Sequence, residues 1–173
     1  MTRPVTIIEP GTVKLERVLP GPVERVWAYL TESDKRAQWL AAGDFDLRVG
    51  GKAALKWNNA KLPNNDGPVP PEYQGRNMGQ IEGVITRLEP MRLLAHTWPK
   101  DGGDMEVTYE LTPRGKQVLL TIVHSRLGKN LVPAVMGGWD AHTGILADLL
   151  NGVAPRPFWK THSRLEQEYA ATL

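Results

Sequence analysis

Three histidines stand where their imidazoles can face an interior: His96 shares strand parity with Leu94 and Trp98, His124 with Val118, Leu120 and Ile122, and His142 follows Trp139 on one helical stripe. Imidazole titrates near neutral pH and is a frequent zinc ligand, so proton transfer and metal binding are the chemistries these residues bring. No pair has His-x-x-x-His spacing and the chain has no cysteine, so neither a metal site nor a thiol nucleophile is expected. No nucleophile elbow, phosphate-binding loop or dinucleotide-binding turn is present, and Gly79-Gln-Ile-Glu-Gly83 lies in strand-like sequence, the wrong context for one. Catalytic residues and cofactors are therefore not assigned, and the balance favours a protein that is not an enzyme.

Binding chemistry is better represented. Six tryptophans and four tyrosines accompany only two phenylalanines, giving apolar bodies with polar tips. Trp57, Trp98, Tyr109 and Trp139, with His96, His124, His142 and Leu146, are the candidate ligand-binding wall, a mainly apolar surface with a few orienting polar groups. Trp27 and Trp39 read as anchors of short helices.

The elements that must position this wall follow from periodicity. Thr12 to Leu19 alternates as a half-buried strand, and Pro22 opens a short helix with Val23, Val26, Trp27 and Leu30 on one face. A second short helix, capped by Ser33 or Asp34, carries Ala37, Trp39 and Leu40. Phe45, Leu47 and Val49 predict a strand turning at Gly50-Gly51 into another with Ala53, Leu55 and Trp57. Residues 58–77 hold four prolines and two glycines, too many turn formers for a regular element, and read as a lid or binding loop.

Four further strands, Met78 to Leu88, Arg92 to Trp98, Met105 to Thr112 and Gln117 to Ser125, form an antiparallel meander with turns at Glu89-Pro90, Lys100-Asp-Gly-Gly103 and Pro113-Arg-Gly115. From Pro133 to Asn151 the period becomes helical, with Val135, Trp139, His142, Leu146 and Leu149 on one stripe. Glycines at 137, 138 and 144 would each cost about 1 kcal/mol inside a helix, so either the helix begins after the first two or packing requires them. Gly138 would leave space beside an imidazole. Gly137, Ala141 and Gly144 would admit the tail helix or another subunit, or simply face solvent. Phe158, His162, Leu165 and Tyr169 predict that tail helix.

Over 173 residues the charged share is 23% and the net charge +2, with scattered Lys and Arg, which disfavours nucleic-acid binding. No apolar run is long enough for a secretory signal or a membrane span, so cytoplasmic location without membrane insertion is the default expectation.

Arg17-Val-Leu-Pro-Gly-Pro-Val-Glu-Arg-Val-Trp27, Thr31 through Trp39-Leu40, Val49-Gly-Gly51, Gly83-Val-Ile-Thr-Arg-Leu-Glu-Pro90, Arg92 through Thr97-Trp98, Val107-Thr-Tyr-Glu-Leu-Thr-Pro113, His124-Ser125 and Gly138-Trp139 occur in this order. Together they resemble the START-like (SRPBCC, helix-grip) superfamily, specifically the AHSA1-like family of activators of the Hsp90 ATPase. The resemblance implies an α+β helix-grip, or Bet v 1-like, fold: a curved antiparallel sheet of about six or seven strands wrapped on a long C-terminal helix, with two short helices after the first strand. The resemblance covers roughly residues 12–152, which leaves 1–11 as an N-terminal extension and 153–173 as a tail helix packed on the domain.

Its functional implication is a hydrophobic cavity for a small apolar or amphipathic ligand. The alternatives are an Hsp90-type chaperone regulator or stress-response module, and a cyclase or hydrolase using the same cavity with a histidine as acid or base; a homodimer is a further possible assembly. The Hsp90 activators carry an additional N-terminal docking domain, whereas about eleven residues precede the first predicted strand here.

Overall fold

A computed structural model describes residues 3–65, 67–100 and 103–173. One antiparallel sheet of seven strands runs in the order β1-β2-β7-β6-β5-β4-β3. The strands are β1 (Val5–Glu9), β2 (Thr12–Pro20), β3 (Lys52–Asn58), β4 (Met78–Glu89), β5 (Leu93–Lys100), β6 (Gly103–Arg114) and β7 (Gln117–Ser125). Helices α1 (Val23–Thr31) and α2 (Ser33–Arg36) follow β2, and α3 (Val132–Leu150) and α4 (Phe158–Ala170) close the chain. This is the helix-grip α+β fold. The predicted turn at Asp101-Gly102 lies outside the described residues.

The sheet has seven strands, but not the seven that alternation predicts. Residues 5–9, read from sequence as extension, pair with β2 from Val5 opposite Leu15 to Glu9 opposite Thr12. Only Val5 of β1 is buried, so the strand is held by backbone pairing and one side chain, leaving no two-residue period to detect. Conversely, Phe45, Leu47 and Val49 form no strand. Phe45 makes a single bridge to Ala53, Leu47 and Val49 are exposed, and the Phe45 ring instead covers the Arg36 guanidinium at 3.8 Å.

Arg36 explains the compact turn between α1 and β3. The residue is 1% exposed, and its guanidinium donates to the carbonyls of Leu30, Thr31, Ala41 and Gly43. Burial lowers its pKa to about 10, so it remains charged at neutral pH and saturates carbonyls that the ends of α1 and α2 leave open. Helix α2 stops at Arg36, so Trp39 and Leu40 lie in the turn after it, with Trp39 fully buried and its indole N–H donating to the Tyr29 carbonyl at 2.9 Å.

Helix α3 does contain Gly137, Gly138 and Gly144, and it is buried against the sheet on one side and α4 on the other. A Cβ on Gly137 would lie 2.9 Å from the Glu166 backbone nitrogen and 3.0 Å from its Cα, so the small-residue stripe receives the tail helix. One on Gly144 would meet the Arg156 guanidinium group at 2.7 Å. Polar groups on the buried helix are paired: Arg17 donates to Asp140 Oδ1 at 2.7 Å and to Thr143 Oγ1 at 2.9 Å, and Tyr169 donates to Asp140 Oδ2 at 2.7 Å.

The glycines therefore separate experimentally. A Cβ on Gly138 would meet only His162 Nε2, at an ordinary 3.6 Å. Gly138→Ala is expected to gain up to about 1 kcal/mol in urea unfolding, from helix propensity, while Gly137→Ala loses about 1–3 kcal/mol from overpacking. Equal effects of the two substitutions would contradict this packing of α4.

Candidate functional site

Sheet curvature brings β3, β5 and β7 around the N-terminal half of α3, leaving a cavity of about 200 Å³. Its wall includes Trp57 from β3, Trp98 and Lys100 from β5, His124 from β7, and Val135, Gly138, Trp139 and His142 from α3. Leu40, Ala41, Asn59, Ala134 and His162 complete it. A wider hollow of about 580 Å³ beside α2 is open to solvent and contains no imidazole.

The register accounts for the inward histidines. His96 on β5 and His124 on β7 both stand opposite Val107 of β6, so all three share one face of the sheet. Their surroundings then give them different roles. His96 is fully buried, with Nδ1 2.9 Å from the Thr97 carbonyl and Nε2 3.1 Å from the Tyr109 hydroxyl. A carbonyl only accepts, so Nδ1 carries the proton and Nε2 accepts from Tyr109. This pair satisfies itself behind the wall. Leu146, also fully buried, belongs to the core rather than the cavity lining. Of the predicted wall residues, His96, Tyr109 and Leu146 are thus placed away from the cavity surface, whereas Trp57, Trp98, His124, Trp139 and His142 converge on it.

At His124 the tautomer follows from its neighbour. The Trp139 indole N–H donates to His124 Nδ1 at 3.1 Å, and indole can only donate. Nδ1 must therefore be the lone pair, and the neutral ring carries its proton on Nε2. That Nε2 is buried and has no hydrogen-bond partner among the described residues. An unpaired buried donor costs about 1–3 kcal/mol, so this N–H stands apart from the paired polar groups of the wall. At His142 the orientation is reversed: Nδ1–H donates to the Trp39 carbonyl at 2.7 Å, leaving Nε2 as the acceptor, and the ring lies over Phe158 at 4.8 Å.

Aromatic rings line the rest. Trp57 and Trp98 are 6.0 Å apart at 32°, and Trp98 meets Trp139 edge-on at 6.3 Å and 80°. Gly79, directly opposite Trp57 on β4, lets this indole lie against the strand, because a Cβ there would collide with its ring.

Sequence reasoning missed the cavity's other end. The loop between β3 and β4 is clasped to α4: Asn65 Oδ1 accepts the Phe158 N–H at 3.1 Å, and Tyr73 stacks on Trp159 at 5.3 Å and 22°. The Tyr73 hydroxyl lies 2.8 Å from His162 Nδ1, and Arg76 pairs with Glu166 at 3.5 Å. His162 and Asn59 thereby reach the wall. Helical spacing from Phe158 marks His162 as inward-facing, but nothing local in the sequence points to Tyr73 as its partner.

All four imidazoles are held neutral at physiological pH. Burial lowers His124 to about 3 and His96, His142 and His162 to about 4. An imidazolium acid working near pH 7 is therefore disfavoured in this cavity. Among the described residues no three His, Cys, Asp or Glu side chains gather as a metal site, and no helix is long and apolar enough to cross a membrane.

The family model described as activator of Hsp90 ATPase homolog 1-like protein matches residues 20–151. A solution structure of a Bordetella parapertussis protein is similar at 36% identity and a TM-score of 0.80, covering 100% of this chain and 96% of that one. CalU16 from Micromonospora echinospora is similar at 24% identity and a TM-score of 0.66, covering 96% and 92%. DynU16, described as a putative protein in the dynemicin biosynthetic locus, is similar at 20% identity and a TM-score of 0.64, covering 84% of this chain and 49% of that one. The last two likenesses concern the fold. No curated protein matches the chain.

The neutral histidines set the acid response. Their unfolded pKa is about 6.5, so between that value and about 4 the unfolded chain binds more protons than the folded one. Folding free energy is expected to fall steadily as pH drops from about 6.5 toward 4, with net proton uptake on unfolding. Urea titrations between pH 7 and 5 that give a constant stability would contradict the buried, neutral assignment.

Proposed function

The chain belongs to the activator of Hsp90 ATPase homolog 1-like family, and from that premise we propose that it is a binding protein enclosing one small, mainly apolar ligand between its sheet and α3. One observation carries the reading. A wall of tryptophans holds the His124 Nε2–H, a buried donor without a protein partner, in a tautomer fixed by Trp139. Rings supply contact area, and a few oriented polar groups supply selection.

The same geometry ranks the alternatives. Burial keeps these imidazoles neutral at pH 7, which disfavours an imidazolium acid and leaves the cyclase or hydrolase alternative only a neutral imidazole base. Regulation of an Hsp90-type chaperone draws its support from the family description and not from the cavity. The clasp between α4 and the loop joining β3 to β4 supports a gating role for that loop, since Asn59 of the loop and His162 of α4 both line the cavity.

Native mass spectrometry of the purified chain against a panel of small apolar and amphipathic metabolites tests the reading. At least one compound is expected to bind with 1:1 stoichiometry and to be lost in Gly138→Leu, whose side chain would occupy the cavity; circular dichroism checks that this variant remains folded. Binding that survives equally in a folded Gly138→Leu protein, or no binding across the panel, would count against it.

A further inference from the structure

We propose that the ligand is a small aromatic acid: one planar ring held among Trp57, Trp98 and Trp139, with an oxygen acceptor at His124 and its negative charge toward Lys100. This rests on the cavity-binding reading above and adds the chemical class. Three independent features lead to it.

Size comes first. A cavity of about 200 Å³ falls below the roughly 300–1,000 Å³ usual for drug-sized ligands, which favours a single substituted ring over an acyl chain or a polycycle. Its wall suits a ring, since Trp57, Trp98 and Trp139 line it and already pack on one another in tilted and edge-on geometries, an arrangement a further aromatic ring can join.

Hydrogen bonding comes second. The His124 Nε2–H is a fixed donor, so a hydrocarbon ligand would leave it unpaired, whereas a carbonyl or similar oxygen would complete it. The ring is neutral and supplies direction rather than charge.

Charge is the third feature. Lys100 is the only formally charged side chain on the wall among the described residues, and no described carboxylate lines it. Its Nζ lies 5.6 Å from the Trp57 ring centroid. Lys100 is exposed, so an anion there keeps part of its hydration and escapes the full cost of burying a charge. Neighbouring groups run in the order Lys100, Trp57, Trp98, His124, with Trp57 and Trp98 6.0 Å apart and Trp98 and His124 5.5 Å apart. Trp57 and Trp98 thus stand between Lys100 and His124 along the wall.

Isothermal titration at low ionic strength with three near-isosteric probes tests the class. 4-Acetylbenzoate carries both acceptor and charge, 4-acetylbenzamide lacks the charge, and 4-isopropylbenzoate lacks the acceptor. 4-Acetylbenzoate is expected to bind at least about tenfold more tightly than either, as one hydrogen bond or ion pair of about 1.4 kcal/mol requires. Lys100→Met, an exposed substitution, should abolish the preference over the amide and preserve the preference over the isopropyl compound. His124→Leu should abolish the second preference, and His124→Gln, which retains an N–H donor, should restore part of it.

Equal binding of the acid and the amide, or a preference unchanged in Lys100→Met, would overturn the aromatic-acid inference while cavity binding stands. If members of the metabolite panel bind and none of the three probes does, the inference likewise falls alone. If nothing binds, both readings fall.

Discussion

At Gly137 the backbone of α4 comes so close to α3 that an added methyl carbon would sit 2.9 Å from the Glu166 nitrogen. With the sheet on its other side, α3 is left little contact with solvent, and each polar residue on it needs a protein partner. Asp140 and Thr143 find theirs in Arg17 and Tyr169, tying β2 and α4 to the same turn of helix. The close approach also brings His162 of α4 to the cavity and gives the 58–77 loop a helix to clasp. The helical glycines cost propensity, but without them the tail helix and the loop it holds would have to move outward.

This packing also sets the chemistry of the cavity. Trp139 needs an acceptor for its buried indole N–H, and His124 Nδ1 is the one it finds. Meeting that need determines which imidazole nitrogen bears the proton, and leaves the Nε2–H of His124 as the unpaired donor. His96 shows the alternative outcome on the same sheet face, where a tyrosine hydroxyl and a backbone carbonyl use both ring nitrogens. His96 and His124 thus differ in one respect: His96 has a protein partner at both ring nitrogens, whereas His124 has one only at Nδ1.

The strand phases were legible because a residue's parity decides its face: His96, His124, Trp57 and Trp98 all point inward as alternation requires. The tail helix was legible for a similar reason, with Phe158, His162, Leu165 and Tyr169 all buried at helical spacing. Alternation misleads where partners decide. Phe45 to Val49 has the period of a strand but lacks a continuous partner, while β1 has a partner and almost no pattern. The division of labour between His96 and His124 was illegible too, since it depends on Tyr109 and Trp139, residues remote in sequence whose hydrogen bonds no local pattern encodes. Lys100 and Asn59 escaped because they reach the cavity from the end of β5 and from the loop after β3, and His162, inward by helical spacing, because its partner Tyr73 is set by tertiary packing.

One proton therefore decides the recognition proposed at His124. Long-range proton–nitrogen NMR correlation of the His124 ring, in protein labelled at histidine, reads its tautomer and its titration directly. A neutral ring protonated at Nε2 is expected from pH 7 to below about 5, with the Nε2 resonance moving when a ligand enters the cavity. A ring protonated at Nδ1, or one titrating near its ordinary value of about 6.5, would contradict it.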